Sequence, residues 1–156
     1  MSSTKYGRTI SGTHPKAKLG EGIPIDLLAA DGLAPLHWAL AGTDPAIMTL
    51  LLDRGSPVDV RSSQGAAPLM NAVQRGSLET VAFLLTHGAK VNARDRRGFT
   101  ALHRAAEMGK VHVTRLLLER GASPSPEAEG QTPRSLAEVR GQKQVVALLS
   151  AAGADR

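Results

Sequence analysis

Five histidines (His14, His37, His87, His103 and His112) are the side chains best suited to proton transfer or metal binding near neutral pH. Their spacing supports neither. HExxH would hold two imidazoles one helical turn apart on a zinc ion, with a carboxylate as general base, and it is absent. So are GxxxxGK[ST], whose backbone cradles phosphate, and the GxSxG turn that exposes a serine nucleophile. Gly20-Glu-Gly22 is too short for a dinucleotide fingerprint. Asp26, Asp59 and Asp95 recur with turn-forming residues, which suits solvated loop positions better than paired acid–base work. There are no cysteines, which removes thiolate nucleophiles, disulfides and cysteine-ligated metal centres, and suits a reducing, cytoplasmic compartment. The chain reads as non-enzymatic, with no metal and no cofactor.

The elements that would carry any function must then be read from the pattern. At 156 residues the chain has room for one domain of about 150. No run of 18 apolar residues could span a membrane, and no apolar stretch of signal-peptide length opens the chain. Alanine and leucine exceed a quarter of the residues while aromatics are only 3%, which suits thin, closely packed helices.

Glycines set the period. Gly32, Gly65 and Gly98 are 33 residues apart, as are Gly55, Gly88 and Gly121, with Gly153 following 32 later. Gly76, Gly109 and Gly141 repeat the step of 33 and then 32. The shared shortening locates one deletion between Gly121 and Gly130, so one unit recurs four times. After each first glycine comes Ala34-Pro-Leu-His37, Ala67-Pro-Leu-Met70, Thr100-Ala-Leu-His103 or Thr132-Pro-Arg-Ser135, and each opens an alanine-rich run. A second apolar run follows, as in Val81-Ala-Phe-Leu-Leu85, with helical i, i+3, i+4 spacing and a glycine fit for a left-handed C-terminal cap. Asp44-Pro45 and Ser77 read as N-caps of second helices. Each unit is a short helix, a tight turn, a second helix and a loop.

These residues resemble the ankyrin-repeat family, whose marks are the 33-residue period and the Thr-Pro-Leu-His-x-Ala signature. The third unit matches best, through Gly88-Ala-Lys-Val-Asn-Ala93, Thr100-Ala-Leu-His103 and Leu116-Leu-Leu118. The resemblance implies an all-α solenoid of stacked helix-turn-helix units with short β-hairpin loops between them. It places a half-repeat at 22–31 and repeats at about 32–64, 65–97, 98–129 and 130–156, the last a C-terminal cap. Residues 1–21 are read as a flexible basic arm, and Leu27, Leu28 and Trp38 as closing the exposed N-terminal end. Structural roles fall to His37, Thr100, His103 and Thr132 at the signature, and to Gly55, Gly88 and Gly121 at helix ends. Met70 and Ser135 replace the signature histidine, and Ala34 and Ala67 the threonine, so the first two repeats should be softer than the third.

The family's partner contacts, carried over by position, fall on the loop tips and exposed first-helix positions. In repeat one these include Asp31 and Leu33; in repeat two, Ser63, Gln64, Gln74 and Arg75. Repeat three gives Arg96, Arg97, Phe99, Glu107 and Met108, and repeat four Ala128, Glu129, Gln131, Val139 and Arg140. Arg75, Arg96, Arg97 and Arg140 make this face basic, with Arg61 and Arg94 near by, and Phe99 and Met108 offer apolar anchors. The expected function is a monomeric adaptor or inhibitor that binds or masks a protein of acidic or mixed surface. The alternative is association with nucleic acid through the arginine cluster and the basic arm, where Lys5, Arg8, Lys16 and Lys18 meet no acid before Glu21.

Overall fold

The computed structural model describes residues 29, 32–42, 44–75 and 77–153. Among these are eight helices: α1 (Pro35–Gly42), α2 (Pro45–Asp53), α3 (Pro68–Arg75), α4 (Leu78–Thr86), α5 (Ala101–Met108), α6 (Val111–Glu119), α7 (Pro133–Val139) and α8 (Lys143–Ala151). They pair in sequence, α1 with α2 through α7 with α8. First helices stack α1 on α3, α3 on α5 and α5 on α7, and second helices stack α4 on α6 and α6 on α8. Helices this short are marginal alone in water and depend on packing. Leu36, Leu69, Leu84, Leu102, Leu117 and Leu149 supply it, each fully buried, while Ala72, Ala105 and Ala137 let neighbouring helices close up.

Capping follows the signature. Thr100 Oγ1 accepts from the His103 amide, and His103 Nδ1 accepts from the Thr100 amide at 3.0 Å. Thr132 and Ser135 make the same reciprocal pair at 3.1 and 2.9 Å, so serine serves as well as histidine for this purpose. Asp44 caps α2 ahead of Pro45, and Ser77 caps α4. Ala34 and Ala67, at the matching place before α1 and α3, have no side-chain acceptor to offer. Past α4, Gly88 adopts φ 94°, and the amides of Gly88 and Ala89 reach back to the carbonyls of Leu85 and Leu84. This left-handed closure recurs at Gly55 and Gly121.

The β-hairpins implied by the resemblance are reduced to single turns. No strand forms among the described residues, and Ala128 and Gln131 make an isolated antiparallel bridge. Side chains supply the reason. Ser62 Oγ accepts from the Gln64 and Ala66 amides at 3.2 and 3.1 Å, and Asp95 Oδ1 from those of Arg97 and Phe99 at 2.9 Å, so loop amides turn inward instead of forming a ladder. The one-residue deletion changes the fourth loop. Ala128 and Gln131 exchange both backbone bonds at 2.9 Å around Glu129 (φ 51°) and Gly130 (φ 76°), two positive angles in the manner of a type I′ turn.

Three series of polar bonds run from one repeat to the next. His37 Nε2 lies 3.1 Å from the Ala66 carbonyl and His103 Nε2 3.2 Å from that of Gln131. Arg61 Nη1 donates to the carbonyls of Gly65 and Arg94, and Arg94 Nη1 to those of Gly98 and Glu127. Asp59 Oδ1 accepts from the Lys90 amide at 3.2 Å, and Asn92 Oδ1 from the Ser123 amide at 2.8 Å. These bonds correct two expectations. Asp59 and Asp95 are bound loop organisers rather than solvated turn residues. Arg61 and Arg94 spend their guanidinium groups on main-chain carbonyls.

Candidate functional site

First-helix edges and loop tips share one face, and the structure divides the expected contact residues there into two groups. Leu33, Gln64 and Gln74 come together around a cleft of about 230 Å³, with Met70, Asn71 and Arg104 beside them. Asn71 Oδ1 is sealed from solvent and has no hydrogen-bond partner among the described residues. Arg104 extends to Asp95, 3.4 Å away. Asn71 and Arg104 were absent from the sequence expectation. The signal for them was their shared place, 33 residues apart, directly after the signature residue.

The second group lies at the ends of α5 and α7. Arg140 Nη2 donates to Glu107 Oε1 at 2.8 Å, which joins neighbouring repeats across the surface. Met108 stands beside this pair at 41% exposure, and Val139, the residue before Arg140, is 80% exposed. At the loop tip Arg97 grips Glu129 through both its Nε and Nη2, with the Nε bond at 2.9 Å. That hydrogen bond holds the Glu129 carboxyl below the usual carboxylate range and raises the Arg97 guanidinium above its own. Arg75 and Arg96 are exposed and make no ion pair among the described residues. Ser63 is half-buried, its amide spent on the Gly32 carbonyl at 2.8 Å. Asp31 lies outside the described residues.

Phe99 is not an exposed anchor. It is 6% exposed and packs with Ala128 and Leu136 under the loop. The Asp95 carboxylate draws in its amide, and its ring meets His103 edge to face at a centroid separation of 5.0 Å. Arg97 and Arg104 lie over the ring at 5.1 and 5.5 Å, so the arginines cover the aromatic group instead of flanking an open one. His103 sits deepest. Burial pushes its imidazole pKa down, and the Nδ1 bond from Thr100 fixes the tautomer with the proton on Nε2, facing Gln131.

On the opposite side, a cleft of about 570 Å³ opens where α4, α6 and α8 begin, lined by Leu78, Lys110, His112, Arg115 and Gln144. None of the expected contact residues reaches it. Among the described residues no cluster of His, Asp and Glu is placed to hold a metal ion, and no helix is long and apolar enough to cross a membrane.

The period, the paired short helices, the Thr–His and Thr–Ser capping boxes and the left-handed glycines define a helical repeat solenoid. The chain belongs to the ankyrin-repeat family: a family model described as ankyrin repeats (3 copies) matches residues 16–95 and again 92–156. Such repeats are generally protein–protein interaction modules and typically non-enzymatic. No curated protein matches the chain.

Proposed function

We propose that this chain is a non-enzymatic adaptor or inhibitor that holds a partner protein along its first-helix face, as a monomer in a reducing compartment. One observation carries the reading: Met108 and Val139 stand exposed together at the ends of α5 and α7, around the Glu107–Arg140 pair. Apolar side chains set among arginines are the make-up of an interface centre. The charge balance sharpens the partner. Arg97, Arg104 and Arg140 are matched by Glu129, Asp95 and Glu107, which leaves Arg75 and Arg96 as the open cations of the face. A mixed surface with an apolar centre fits better than a strongly acidic one. The same pairing speaks against a phosphate-binding arginine cluster, while the basic arm of the nucleic-acid reading lies outside the described residues.

Affinity capture with wild type and with Met108→Glu/Val139→Glu tests this. Loss of the specifically retained proteins from the variant, at unchanged helicity, supports the reading; equal recovery by both overturns it. A duplex and single-stranded DNA titration across a salt series gives the competing outcome, since phosphate binding would weaken steeply with salt.

A further inference from the structure

The cleft beside α3 and α5 owes its opening to one small residue. Ala66 stands 33 residues before Phe99, at the same place in the preceding loop. Phe99 is buried with Ala128 and Leu136, so its ring fills the space beneath its own loop. Ala66 carries no ring, and Arg104 stands where Leu136 stands one repeat later. About 230 Å³ is left open among Leu33, Met70, Asn71, Gln74, Asp95 and Arg104.

The polar groups around this space are incompletely used. Asn71 Oδ1 is closed off from water and accepts no hydrogen bond among the described residues. Such an acceptor costs more than a formed bond returns, so it favours the arrival of a donor. The Asp95 carboxylate, 7% exposed, is already occupied: Oδ1 takes the Arg97 and Phe99 amides, and Oδ2 takes Arg104 Nη2 at 3.4 Å. Arg104 makes no other hydrogen bond among the described residues, although a guanidinium carries five N–H donors.

Charge narrows what can enter. A carboxylate would be drawn to Arg104 and repelled by Asp95, and an ammonium the reverse, with the two charges only 3.4 Å apart. Attraction and repulsion largely cancel, and the cost of removing the ion from water stands. A neutral carboxamide avoids that cost. It holds two donors and an acceptor oxygen in one plane, matching a free acceptor at Asn71 and a free donor fork at Arg104. A hydroxyl has a single atom for both tasks.

On the partner-binding reading of the first-helix face, we propose that this cleft is its specificity subsite and takes the carboxamide of an asparagine or glutamine from the partner protein. Asn71 turns outward to accept from the guest amide, and Arg104 donates to the guest oxygen. Leu33 and Met70 wall the methylene stem.

A random-peptide phage library is the probe. It is selected on the unaltered chain, and the retained peptides are titrated against Ala66→Phe, Asn71→Leu and Met108→Glu/Val139→Glu, each at unchanged helicity. Ala66→Phe plugs the cleft with a ring the fold accepts at Phe99, and the bonds at Ala66 survive because they use only its amide and carbonyl. The subsite predicts asparagine or glutamine at one fixed peptide position, and about tenfold weaker binding to both Ala66→Phe and Asn71→Leu, as for one lost buried hydrogen-bonded group. No enriched peptide, a fixed acidic or basic position instead, or equal binding to Ala66→Phe and Asn71→Leu overturns the subsite. If such peptides still weaken on Met108→Glu/Val139→Glu, the face reading survives that failure. Carboxamide peptides that bind Met108→Glu/Val139→Glu in full but lose affinity for Ala66→Phe support the subsite and remove the apolar pair from the contact.

Discussion

His103 Nε2 lies 3.2 Å from the carbonyl oxygen of Gln131, 28 residues further along the chain. The bond crosses from the third repeat to the fourth and requires a neutral ring, because Nδ1 is already accepting from Thr100. Burial lowers the pKa of this imidazole in the folded state, so below its ordinary value near 6.5 the unfolded chain binds more protons than the folded one. Stability from this group is complete above that value and is lost as pH falls towards the folded pKa. Urea midpoints should decline between pH 7.5 and pH 5, and His103→Ala should flatten that slope. The substitution should also cost about 2 kcal/mol at pH 7.5, as the Thr100 and Gln131 groups lose their partner. An unchanged slope would remove His103 from the account.

Ala67→Thr should stabilise the second repeat. Thr100 occupies the matching place at 2% exposure and caps α5, so the fold admits a threonine there. A gained N-cap is worth about 1 kcal/mol, or roughly 2–4 °C in Tm at this chain length. Thermal melts by circular dichroism decide it; a fall in Tm would mean that the site beside Met70 has no room.

Phe99→Ala and Val139→Glu should separate folding from binding. Removing a buried aromatic ring costs about 3 kcal/mol or more, and here it also uncovers Leu136 and His103. Val139 is 80% exposed, and its replacement should leave the melting temperature within about a degree, as surface changes usually do. Partner retention should vanish for Val139→Glu while its Tm holds. The reverse pattern would restore Phe99 as the contact residue.

Glu129→Gly should raise Tm by a few degrees. A side chain at φ 51° is strained where glycine is not, and the Arg97 pair that offsets the strain is solvent-exposed on both sides. If Tm falls instead, the bidentate bond outweighs the backbone term. Partner capture by the same variant shows whether Glu129 is kept to aim Arg97.

The period of the glycines made the architecture legible because the periodic glycines among the described residues mark backbone positions with positive φ, and the caps at Asp44, Ser77, Thr100 and Thr132 follow from local hydrogen bonding. The face was harder to read. Position alone places Phe99 at a loop tip, but the direction of its ring is set by the Asp95 carboxylate four residues earlier. Composition makes the arginines look like an open basic patch, although three of them are paired: Glu107 and Glu129 lie one repeat away from Arg140 and Arg97, and Asp95 nine residues from Arg104. Periodicity reports which residues are equivalent. It does not report which of them are already engaged.

The three series of cross-repeat bonds are unevenly distributed, and that asymmetry gives the stack a direction. His37, Arg61 and Asp59 reach from the first repeat to the second, Arg94 and Asn92 from the second to the third, and His103 from the third to the fourth. In a linear array whose stability is a sum of neighbour terms, the first junction is secured by the most of these directional bonds, whereas the last rests chiefly on the apolar packing of Ala137, Val145 and Leu149. The two ends of one stack are held by different physics.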